Sequence, residues 1–123
     1  MQSDPVVHFE ILGPDGPALT SFYGELFGWR MQVGALPGYP HYGFLPAPDG
    51  TGIGGGVGTA DAVTGGLVTI YVEVDDPQRA LDRAQELGAT VTLPVTAIPE
   101  VATFARFRDP QGNEVGLVQR QAD

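Results

Sequence analysis

The sequence predicts an α+β fold built from two βαβββ modules in tandem, with a mixed sheet around a cleft. Three observations predict it. Apolar and polar residues alternate with strand period in two separated places, Val6–Leu12 and Leu67–Asp75. Each place is followed by a turn, a proline and an apolar stripe at helical spacing. Three further strand-like runs follow each helix, so the second half repeats the first, over about 5–58 and 67–119. "FEI" at 9–11 corresponds to "VEV" at 72–74, and "GELFG" at 24–28 to "QELG" at 85–88. Two equivalent modules of this kind are expected to face a shared cleft, within a single domain over 1–123.

In the first strand, Val7, Phe9 and Ile11 share one face and His8 and Glu10 the other. Gly13 to Pro17 is a turn, and Pro17 suits the first turn of a helix. Leu19, Phe22, Tyr23, Leu26 and Phe27 mark that helix's expected buried stripe, and Gly28 its left-handed end. Short strands are expected at Trp29–Val33, His41–Leu45 and Thr51–Val57. Loops are expected at Gly34–Pro40 and Pro46–Gly50, and a small-residue linker at Gly58–Gly66.

The second module opens with Val68, Ile70, Val72 and Val74 on one face and Thr69, Tyr71 and Glu73 on the other. Asp76 is the expected helix cap and Pro77 the first helical residue. Ala80, Leu81, Ala84 and Leu87 form the stripe, ended by Gly88. Strands are expected at Thr90–Pro94, Thr103–Arg108 and Asn113–Gln119, the last two joined by the turn Asp109-Pro110-Gln111-Gly112-Asn113. If Phe107 packs on the helix, Phe104 and Arg106 turn to the opposite face.

Composition narrows the chemistry. The formal charge is −9, and all six cations are arginines. A nucleic-acid or anionic-membrane surface needs clustered positive charge, so neither partner is expected. Without lysine there is no Schiff base and no Walker-type phosphate loop. Without cysteine there is no disulfide and no thiolate chemistry. Serine occurs only at Ser3 and Ser21, away from any nucleophile elbow. No apolar run is long enough to span a membrane, and Met1–Pro5 lacks the pattern of a signal peptide, so a cytoplasmic protein is expected. What remains is His8, His41, carboxylates, tyrosines and arginines.

Three motifs, "VVHFEI…FYGELFGW", "YVEVDD…LGA" and "DPQGNEVGLVQ", resemble the vicinal oxygen chelate superfamily of glyoxalase I, bleomycin-resistance proteins and extradiol dioxygenases. The resemblance covers nearly the whole chain. It implies paired βαβββ modules, a curved open sheet and a homodimer. Family enzymes hold a divalent metal with His, Gln or Glu side chains from four places. Here His8 matches the first. The other three fall on Thr69, on a glycine within 54–56, and on Gly116. Glycine has no donor and threonine no charge, so no metal cofactor is expected. A shifted set of His8, Glu10, Glu73 and His41 is the alternative for a divalent metal.

The expected function is capture of a small organic ligand, aromatic or cationic, at His8, Glu10, Tyr39, His41, Tyr42, Phe44, Gly54, Thr69, Tyr71, Glu73, Phe104 and Arg106. Trp29 with Tyr39, His41, Tyr42 and Phe44 would form an aromatic wall, and the glycines at 54–56 would leave room for the ligand. Glu10 and Glu73 could pair as acid and base, or each meet a cation or water, with Arg106 a candidate partner. The rival is an enzyme, a glyoxalase-like lyase, isomerase or dioxygenase. It would use the shifted metal set, or His8 or Glu10 as a general base.

Overall fold

A computed structural model describes residues 3–34, 36–39, 41–47, 50–60 and 66–121. The elements run β1 (Val6–Gly13), α1 (Gly16–Phe27), β2 (Gln32–Val33), β3 (Tyr42–Leu45), β4 (Gly54–Thr59), β5 (Leu67–Val74), α2 (Pro77–Glu86), β6 (Thr90–Ile98), β7 (Ala102–Arg108) and β8 (Glu114–Gln119). This is the expected α+β order, twice strand, helix and three strands. Chain packing defines two units, His8–Val68 and Met1–Val7 with Thr69–Asp123. Residues 61–65 of the expected linker lie outside the described residues, as do Ala35, Pro40, Pro48 and Asp49 of the expected loops. No helix among the described residues is long and apolar enough to cross a membrane.

In the first unit the strands pair in the order β2-β3-β4-β1, with β1 parallel to β4 and the other pairs antiparallel. Asp15 caps α1 through the Ala18 amide, and Gly28 closes it with φ 70°. The stripe that approaches the sheet differs from the expected one. Gly16, Leu19, Thr20, Tyr23 and Gly24 are its less exposed residues, whereas Phe22, Leu26 and Phe27 are exposed. Close approach selects this face. A Cβ on Gly16 would lie 2.6 Å from the Thr59 amide nitrogen and 2.9 Å from the His41 carbonyl. The Gly16 amide also donates to Thr59 Oγ1. Glycine brings the helix onto β4, and bulky residues are left facing outwards.

In the second unit the order is β5-β8-β7-β6, with β5 parallel to β8 and the rest antiparallel. Asp76 caps α2 by accepting from the Gln78 and Arg79 amides. The core comprises Val74, Leu81, Ala105 and Leu117, with Val72, Ala80, Val91, Val95 and Phe107 packed around them. Leu87, expected in the stripe, is 63% exposed because α2 ends before it. On β5 the apolar face is covered only at its end: Val68 is 71% exposed, while Thr69 and Tyr71 on the opposite face are buried. β6 continues to Ile98, beyond the expected Pro94, with two register irregularities, the second of which spans the proline.

Candidate functional site

The first module places His8 and Glu10 on the face of its sheet away from α1. Register settles this. Glu10 lies beside Gly56, which lies beside Phe44, while Phe9 lies beside Gly55 and Leu45 on the opposite face. His8 Nε2 is 2.8 Å from the Tyr42 hydroxyl. Burial pushes the His8 imidazole below its usual range, so it is neutral at pH 7 and its ring nitrogen can accept the phenolic proton. The Phe44 ring lies nearly parallel to the His8 ring, with centroids 6.4 Å apart, and is exposed.

The expected aromatic wall divides between the two faces. Trp29 packs with Phe9, Tyr23 and Phe27 at centroid separations of 5.4, 5.7 and 5.1 Å. Tyr42 and Phe44 gather at His8 instead. Tyr39 and His41 are exposed in the chain leading to β3, where the Tyr39 carbonyl accepts from the Tyr42 amide. The glycines of β4 are also not the open space the sequence suggested. A Cβ on Gly56 would fall on the Tyr42 phenol, and one on Gly54 would meet the Leu45 carbonyl oxygen at 2.7 Å. Gly56 is the seat of a tyrosine ring, and Gly54 is covered by backbone.

The second module repeats the device. A Cβ on Gly116 would lie 2.7 Å from Tyr71 Cγ and closer still to the ring-edge carbons. Tyr71 is buried on that glycine, and its ring meets Phe104 edge to face at 6.3 Å. Tyr71, Gly116 and Arg106 lie side by side on β5, β8 and β7. Phe107 packs into the core on the helix side, so Arg106 and Phe104 take the opposite face as expected. The Thr69 hydroxyl donates to the Glu114 carbonyl at 2.6 Å.

Within the second module Glu73 meets a cation, one of the expected alternatives. Glu73 Oε1 lies 3.7 Å from Arg120 Nε, and Arg106 Nε lies 3.8 Å from Glu114 Oε2. The Glu114 carboxylate also accepts from the Thr92 hydroxyl at 2.6 Å and lies 3.9 Å from Arg108. The residues singled out from the sequence include none of Glu114, Arg108, Arg120 and Thr92. A signal for two of these existed. The Asp109–Asn113 turn fixes the hairpin register, which sets Arg108 opposite Glu114 and Arg106 opposite Gly116.

The donor set does not fit a divalent metal of the kind the resemblance implied. At its four positions stand His8, a threonine whose hydroxyl is engaged with backbone, and two glycine positions. Tyrosine rings cover Gly56 and Gly116. Among the described residues no three His, Asp or Glu side chains form a group that could hold an ion, so His8, Glu10, Glu73 and His41 are not brought together as one.

Comparison with known proteins agrees with this architecture. The family described as glyoxalase/bleomycin resistance protein/dioxygenase superfamily matches residues 6–117. CFP32 of Mycobacterium bovis, provisionally named a glyoxylase, is 27% identical over 108 residues, covering 85% of this chain and 41% of that protein. The chain thus spans less than half the length of that relative. A superfamily member from Vibrio splendidus superposes with TM-score 0.62 at 18% identity, over 96% of this chain and 100% of the other. Methylmalonyl-CoA epimerase from Mycobacterium tuberculosis superposes with TM-score 0.67 at 13% identity, over 99% and 93%.

Proposed function

Because the chain belongs to the glyoxalase/bleomycin resistance protein/dioxygenase superfamily, we propose that it binds a small organic molecule on the polar face of its first module, without a divalent metal. The observation that carries this reading is the His8–Tyr42 pair beside the exposed Phe44 ring. A neutral imidazole and a phenol give directional hydrogen bonds, and the flat Phe44 surface suits an aromatic group. Glu10 is half-buried on the same face. The replacement of metal donors by Thr69, glycine and tyrosine rings supports the metal-free part.

The test is a thermal-shift and calorimetric screen of aromatic, peptide-antibiotic and acyl-thioester compounds. A hit is expected to weaken in Tyr42→Phe and Phe44→Ala. Hits indifferent to both variants would sink the reading. Stoichiometric Ni, Zn, Fe or Mn in untagged protein, lost in His8→Ala, would sink the metal-free part.

One observation favours a second reading, in which His8 is a general base. Burial keeps it neutral, and so able to take a proton from an acidic C–H at pH 7. Lyase, isomerase or epimerase chemistry would follow, and similarity to a protein named methylmalonyl-CoA epimerase makes solvent deuterium exchange into α-carbon positions of acyl-thioesters the first assay. Exchange must vanish in His8→Gln. The proposal includes a cytoplasmic homodimer. Light scattering at micromolar concentration tests the dimer, and a monomer throughout that range contradicts it.

A further inference from the structure

Strand register puts a polar residue beside Phe44 that the functional reading does not use. Gln32 on β2 lies opposite Phe44 on β3, and Phe44 lies opposite Gly56 on β4. Cross-strand partners share a face, so Gln32 joins Phe44, His8 and Glu10 on the side of the sheet away from α1. The neighbouring pair agrees. Val33 lies opposite Gly43, where a Cβ would stand 3.3 Å from Thr20 Cγ2 of α1, so this pair takes the helix side. Partners of this kind have β-carbons about 4.5–5.5 Å apart. Gln32 and Phe44 are both exposed. β2 flanks β3 on one side and β4 on the other, with β1 beyond it. Phe44 therefore has the Gln32 amide towards one edge and the His8 ring, 6.4 Å away between centroids, towards the other. Two charged residues lie nearby. Glu10 stands beyond Gly56 on the same row, and Arg30 is exposed two residues before Gln32.

A glutamine amide presents a donor and an acceptor side by side. It pairs twice with an edge that carries N–H next to C=O or to a ring nitrogen, as glutamine does with adenine. A lone carbonyl or a lone amine uses half of it. The flat ring of Phe44 meanwhile suits a planar group. We propose that Gln32 determines specificity in the first-module site, pairing with the amide edge of a planar ligand, a lactam or a related heterocycle, whose ring lies on Phe44. The inference deepens the small-molecule reading and rests on it.

The probes are isoindolinone, a planar fused lactam, and N-methylisoindolinone, which keeps the rings and the carbonyl and loses the N–H. Binding is followed by NMR on the Gln32 side-chain amide and the Phe44 ring. Isoindolinone is expected to shift both signals saturably and to bind about fivefold more tightly than its methylated counterpart. Gln32→Ala, at an exposed position, should fold normally, weaken isoindolinone by a similar factor and leave N-methylisoindolinone unchanged. A merely structural role for Gln32 would move both probes alike. Phe44→Ala should weaken both. Arg30→Gln should leave the preference intact, because both probes are neutral. Equal affinities in the parent protein, a preference that persists in Gln32→Ala or vanishes in Arg30→Gln, or the absence of any shift at Gln32 would each overturn the proposal. Equal affinities that both fall in Phe44→Ala overturn the role of Gln32 alone. Binding indifferent to Phe44→Ala and Tyr42→Phe overturns the small-molecule reading at this face as well.

Discussion

Replacing Gly116 by alanine tests whether the β8 glycine is there to seat Tyr71. The added Cβ would lie 2.7 Å from Tyr71 Cγ, whereas carbon atoms in good contact are about 3.5–4.0 Å apart, so the ring must retreat by roughly 1 Å. Tyr71 is 5% exposed, and β8 is held on both sides by β5 and β7, so neither partner has room to yield. Overpacking of this kind costs about 1–3 kcal/mol. Alanine's smaller unfolded-state entropy returns about 0.4–1 kcal/mol. The expected net loss is thus about 1–2 kcal/mol. At a urea slope of about 2 kcal/mol/M, the midpoint falls by roughly 0.5–1 M. Tyr71→Ala alone should cost about 3 kcal/mol as a large aromatic truncation. In the double variant the alanine methyl no longer meets a ring. The two losses should therefore fall short of additivity by about 1–2 kcal/mol. Urea denaturation of all four proteins measures this. A Gly116→Ala protein as stable as the parent, or additive losses, would refute the reasoning.

Gly56→Ala should act in the same way in the first module, lowering the melting temperature and displacing Tyr42 from His8, seen as a shift of the His8 ring resonances in NMR spectra. The His8 imidazole titrates lower in the fold than in the unfolded chain, so the unfolded state binds more protons. Stability conferred by the neutral form is full above about pH 6.5 and falls as pH drops below it. Urea midpoints between pH 8 and 5 should show this decline in the parent and a flatter profile in His8→Gln; parallel profiles would contradict it. Asp109 accepts from the Gln111 and Asn113 amides and from Asn113 Nδ2, and the Asn113 amide is the main cause holding its carboxyl below the usual range. Its contribution should be present above about pH 4 and disappear as pH falls through its lowered pKa, and Asp109→Ala should destabilise the β7–β8 hairpin, read as faster amide exchange at Arg108 and Glu114.

Local rules reached far into this molecule. Alternation in Val6–Leu12 placed His8 and Glu10 together on the face away from Phe9, and the β1 register bears that out. Asp76 and Pro77 marked the start of α2, and Gly28 the end of α1. These features depend on backbone geometry within a few residues, which neighbouring side chains specify directly. Periodicity alone misplaced the buried side of α1. A stripe of Phe22, Leu26 and Phe27 is the more apolar one, but contact depends on how near two backbones can come. Gly16 beside Thr59 sets that distance across 43 residues of chain.

The composition by itself determined which side chains the sequence can offer: no cysteine thiolate, no lysine amine and no serine elbow. Together with the doubled pattern it also determined the two-module α+β plan. Only tertiary structure decided what the glycines are for and which charges meet. Gly56 and Gly116 read as vacancies in a sequence, because a missing side chain carries no information about what fills its place. In the fold they seat the rings of Tyr42, on the adjacent β3, and Tyr71, on the adjacent β5. The same strand register joins Arg106 to Glu114 and leaves Glu73 to Arg120, pairings set by distance in space rather than by order along the chain.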